Sequence, residues 1–152
     1  MLVINNLLNG DFMQKEQPTF HPISKAPSIL GITNDMLDSS KEQLVRMEKI
    51  KDKPYVLTDE LIKRSIKLYT SQNEDLEIFL RQCYIWREKE LNELQQYQVR
   101  AIEDNVDTIT KINNQILVIV NGCKNSTIDK ILEKDDLELA FEALTGKIQL
   151  PK

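Results

Sequence analysis

Glycine and aromatic residues are scarce in this 152-residue chain, with four glycines and an aromatic fraction of 6%. Sheets draw on both, glycine in tight turns and aromatics on strands, so the shortage points to helices. Cysteine is scarcer still. Cys83 and Cys123 are the only two, too few for the disulfide framework of a small secreted domain, and neither has a second thiol at metal-ligand spacing. They fit an intracellular, reducing setting and a role as small apolar fillers. The one histidine, His21, lies among prolines and away from both cysteines, which removes the usual zinc ligand sets and a Ser-His pair. With the glycines so widely separated, no phosphate-cradling loop can be written. The expectation is a chain that is not an enzyme, with no cofactor, no metal and no evident small-molecule substrate.

Long apolar runs are also missing. The longest, Ile116 to Val120, has five residues, far below the roughly 18 that a membrane span needs. The N-terminal MLVINNLL has no Lys or Arg before Lys15 and is interrupted by asparagines, a poor match to a secretory signal. Asp11 and Glu16 precede the first arginine, Arg46, which argues against a mitochondrial transit peptide. The net charge of −4 is modest and gives no global reason to expect nucleic acid.

Residues 1–32 stand apart. Pro18, Pro22 and Pro27 fall close together between Gly10 and Gly31, so this part reads as an extended N-terminal arm, in which MLVI and SILGI are segments able to dock on a surface. Residues 33–152 read as a helical domain. A first helix is expected near 34–51, capped by Thr33 or, if it starts later, by Ser40 with Gln43.

From Tyr55 to Asn121 there are 67 residues without a glycine or proline. Thr58 is a good N-cap, followed by Asp59 and Glu60 at the positive end of the helix dipole. Beyond it an apolar stripe passes through Leu76, Leu80, Cys83, Leu91, Leu94, Ile102, Ile109, Ile112, Ile116, Ile119 and Cys123. One unbroken helix would be about 95 Å long and would need a partner along most of it. A turn in the polar segment REKELNE, 87–93, divides it instead into two nearly equal arms that bury each other's stripes. Asn92 with Gln95 matches a capping box there, and Ser71 with Glu74 is a rival break. The hairpin is the reading adopted, with helices near 59–90 and 93–121. Gly122 stands as a C′ residue, and short helices are expected near 127–133, capped by Ser126 or Thr127, and near 136–145, capped by Asp135 with Glu138 and stopped at Gly146. The fold class is all-α, a long coiled-coil-like helical hairpin with short flanking helices.

The residues that carry the functional expectation lie on the second arm. Ile102, Ile109, Ile112, Ile116 and Ile119 keep a and d spacing, with Asn105 between the first two, where a polar residue specifies register. Val106, Leu117 and Val120 broaden the surface beyond one seam, so a second neighbour is expected, either the terminal helices or another chain. Trp86, the sole tryptophan, either caps the core near the turn or anchors in a partner's pocket. These seven, Trp86 with the five isoleucines and Asn105, are the expected partner-binding residues. The functional expectation is an interaction subunit or adaptor, binding a protein partner or a second copy. Residues 41–67, with eight Lys or Arg against five Asp or Glu, support the alternative of regulatory or nucleic-acid-associated binding. Six carboxylates between Asp129 and Glu142 form an acidic cluster, suited to a solvated face, a metal or a basic partner, though without the glycine-centred calcium pattern.

Overall fold

The computed structural model describes residues 20–134 and 136–146. The fold is all-α, a long helical hairpin flanked by further helices, with no strand among the described residues. α1 is Ala26–Ile50, α2 Asp59–Arg87, α3 Glu93–Gly122, α4 Ile128–Leu132 and α5 Asp136–Leu144. Single 3-10 turns, Ile23–Lys25 and Pro54–Val56, lead into α1 and towards α2.

The helix ends follow local hydrogen bonding. Thr58 caps α2 by accepting from the Leu61 amide at 3.1 Å. At the hairpin turn, the Gln95 amide donates to Asn92 Oδ1 at 2.8 Å, and the Asn92 amide donates to Gln95 Oε1 at 3.0 Å. That reciprocal pair satisfies two amides which a helix start leaves open, and it sets α3 running back from the end of α2. Ser71 and Glu74 lie inside α2, so the rival break does not occur. Thr127 caps α4 through the Lys130 amide, and Gly146, with φ +76, takes the left-handed position after α5. The Asp135 cap expected from sequence lies outside the described residues.

Three expectations are corrected. α1 begins at Ala26, not near 34, because Pro22 stands ahead of the 3-10 turn and Pro27 occupies the first helical turn, where its missing amide costs nothing. SILGI is therefore helix, and Ile29, Leu30 and Ile32 pack on the core; MLVI lies outside the described residues. Thr33 and Ser40 are buried inside α1 and so do not cap its start, and Thr33 donates to the Leu30 carbonyl at 3.0 Å. Gly122 is the last residue of α3 and does not take a positive φ. The chain leaves α3 through tight turns, Cys123 N to Val120 O and Ser126 N to Cys123 O, both 3.1 Å.

The chain divides into two compact units, and each long helix contributes a segment to both. The first, of described residues 20–40 and 71–112, has a core of Leu76, Phe79, Cys83 and Trp86 from α2, Val99, Ile102, Val106 and Ile109 from α3, and Ala26 and Ile29 from α1. The two arms of the hairpin meet where the Cys83 thiol approaches the Val99 carbonyl at 4.0 Å and Arg87 donates to Glu103 at 2.9 Å. The Arg87–Glu103 pair is largely exposed and adds at most about 1 kcal/mol, so apolar burial holds this unit together. The second unit, of 41–70 and 113–146, buries Leu57, Ile62, Tyr69, Ile116, Ile119, Val120, Cys123 and Ile131.

A polar clasp fastens α4 in the second unit. The Thr127 hydroxyl donates to Asp59 Oδ1 at 2.7 Å, the Asp59 amide donates to Asp129 Oδ2 at 2.6 Å, and Lys130 pairs with Asp59 at 3.2 Å. The Ile128 amide adds a bond to the Leu57 carbonyl at 3.0 Å. The Thr127 bond, then Lys130, hold the Asp59 carboxyl below its ordinary pKa.

Candidate interaction surface

Six of the seven residues expected from sequence to meet a partner are buried in the chain's own interior. Trp86, Ile102, Ile109 and Ile116 are fully buried, and Ile112 and Ile119 nearly so. The Trp86 indole N–H donates to the His21 carbonyl at 2.8 Å, and the His21 amide donates to Gln82 Oε1 at 2.6 Å. Trp86 therefore closes the core near the turn and is not presented for insertion elsewhere. Asn105 is half-buried. Its Nδ2 donates to Thr33 Oγ1 at 3.1 Å and to Asn34 Oδ1 at 2.7 Å, fixing α3 against α1 inside the first unit.

The second neighbour anticipated for the isoleucine face is thus α1 where the first unit is concerned. Neither the terminal helices nor another chain was needed to supply Ala26, Ile29, Thr33 and Asn34. The signal for α1 in the sequence was the period of Ile29, Thr33 and Met36, obscured by prolines that belong to its first turn.

Both cysteines are buried free thiols, and burial pushes the Cys83 thiol up to about 12, where it is a poor nucleophile. Among the described residues no three His, Cys, Asp or Glu side chains could hold a metal ion. A shallow cleft of about 330 Å³ in the first unit is walled by Leu30, Asn34, Tyr97, Arg100, Asp104 and Asn105, but Asn34 and Asn105 already bond each other there. In the basic 41–67 stretch, Arg46 pairs with Glu42 at 3.8 Å and Lys51 with Glu48 at 2.9 Å, so two of its cations are matched by acids of the same stretch and its net surplus is unchanged. No helix among the described residues is long and apolar enough to cross a membrane.

Exposed large apolar side chains are where the surface departs from a solvated one. Tyr84, Leu94 and Tyr97 are exposed in the first unit and Val118 and Leu132 in the second. α5 has the densest set: Leu137 is 82% exposed, Phe141 61% and Leu144 88%. Their i, i+4, i+7 spacing places them along one side of the helix at 3.6 residues per turn. The opposite side carries the half-buried Leu139, Glu142 and Ala143, and Glu142 is held by Lys134. α5 therefore keeps one side half-buried and turns a leucine–phenylalanine–leucine ridge to solvent.

Comparison with family models, curated proteins and solved structures finds no match to this chain.

Proposed function

We propose that this chain is a non-enzymatic helical interaction subunit or adaptor that engages a protein partner. The observation that carries the proposal is the ridge of Leu137, Phe141 and Leu144. Single exposed apolar residues need no explanation, but three in register on a nine-residue helix form a contiguous strip of the kind that helix-in-groove recognition uses. The rest of the molecule supports the same reading. The long helices bury their apolar faces within each unit, and both thiols are buried.

Affinity capture from the native source followed by mass spectrometry tests it, run beside sedimentation and melting at several protein concentrations. A specific partner, or melting that rises with concentration or with added partner, is the expected result, because association stabilises the folded form by mass action. A monodisperse monomer that captures nothing, and whose melting ignores both concentration and cell extract, would refute the adaptor function.

A further inference from the structure

We infer that the outer face of α5 receives a basic amphipathic helix from the partner protein, an inference that rests on the adaptor function proposed above. The argument is one of charge. Residues 128–146 carry six carboxylates against two lysines, a net −4 that equals the charge of the whole chain, so the remainder, Lys147 and Lys152 included, is balanced. Both lysines are engaged internally, Lys130 with Asp59 and Lys134 with Glu142. α5 itself holds Asp136, Glu138 and Glu142 and no basic residue. At about 100° per residue, Asp136 and Glu138 lie to either side of Leu137, so the apolar ridge is bordered by a carboxylate on each flank.

Such a strip selects its occupant. An anionic bilayer or a nucleic acid would bring phosphate against carboxylate. A second copy laid on the same ridge would bring together two helices that each carry carboxylates and no basic residue, like charge against like, which costs affinity. A protein helix with apolar side chains at i, i+4 and i+7 and Lys or Arg on its margins satisfies both features. The contact from Leu137 to Leu144 runs for only about 10 Å, two turns, which suits a weak, reversible docking contact more than a permanent interface.

The probe is a pair of synthetic amphipathic peptides with one leucine pattern, the polar positions filled by lysine in one and glutamate in the other. Binding to the full chain is read by fluorescence anisotropy. The lysine peptide is expected to bind, to weaken at least tenfold with Phe141→Ala, and to weaken several-fold between low and physiological salt; the glutamate peptide is expected not to bind. Phe141→Ala lies on an exposed face and places a strong helix former there, so helix content by circular dichroism stays as in the parent. Equal affinity of the parent and Phe141→Ala, preference for the glutamate peptide, binding to anionic vesicles, or self-association abolished by Phe141→Ala would each overturn the inference. A native partner retained by Phe141→Ala overturns it too and leaves the adaptor function standing, whereas a chain that captures no partner at all removes both.

Discussion

Ile109→Ala is the most informative single change, because Ile109 is fully buried in the cluster that also holds Trp86. Truncation deletes three side-chain carbons, and at about 0.8 kcal/mol per buried methylene the lost transfer energy is about 2.4 kcal/mol. If a hole of roughly 80 Å³ relaxes to half that volume, the cavity adds about 1 kcal/mol at about 24 cal/mol per Å³. The sum, about 3.4 kcal/mol, is a large share of the roughly 5–15 kcal/mol that stabilises an ordinary domain. For a chain of this length the melting temperature should fall by about 7–14 °C. Urea unfolding followed by circular dichroism and by Trp86 fluorescence provides the assay. Trp86 is the sole tryptophan, so its emission reports the unit in which Ile109 sits, and an unchanged m-value would show that stability alone has moved. Val118→Ala is the control: its side chain is 73% exposed, and its cost should stay within about 0.5 kcal/mol. Should Ile109→Ala cost no more than Val118→Ala, the isoleucine seam is not interior, and the packing of α3 described above is wrong.

Burial, then the charge of Glu74, raise the Asp75 carboxyl to about 6. Its folded pKa lies above the unfolded one, so its stabilising contribution is complete below about 3.8 and is lost as pH rises through about 6. Asp75→Asn should therefore stabilise at pH 7.5, by about 1–2 kcal/mol once solvent reaching this half-buried side chain is allowed for, and the gain should close near pH 3.5 in a melting series. Asn92→Ala removes a cap and should cost about 0.5–2 kcal/mol in urea, with hydrogen exchange quickening at residues 93–96 before the middle of α3. Asp59→Asn should speed amide exchange across Ile128–Leu132 at neutral pH. The Asp59 pKa is lowered, so this protection is present above the ordinary carboxylate range and lost as pH falls through the lowered value. No quickening there would mean that the clasp does not hold α4.

What the sequence determined by itself is the set of helix ends that close through bonds within one turn. Thr58, the Asn92–Gln95 pair, Thr127 and Gly146 each satisfy backbone groups three or four residues away. Such chemistry is complete in a short window, and so is the decision to turn at residues 88–92. The period of the isoleucines on α3 likewise established an apolar face, since spacing along a helix is a local property.

Only the tertiary structure decided what that face meets. Leu80 and Leu94 continue the stripe on paper but are exposed, while Phe79 and Val99 beside them fill the core, because a period defines a direction and leaves its width and exact bearing to the neighbouring helices. Asn105 looked like a device for a partner, yet its bonds go to Thr33 and Asn34, more than 70 residues earlier. Trp86 looked like an anchor, yet its N–H is taken by the His21 carbonyl. The same limit hid the exposed ridge of α5. Leu137, Phe141 and Leu144 are ordinary core residues by type, yet they are exposed, while Leu139 and Ala143 on the other side of α5 are half-buried. Hydrophobicity states how much a residue gains from burial, and long-range packing, which no window of sequence contains, determines which residues obtain it.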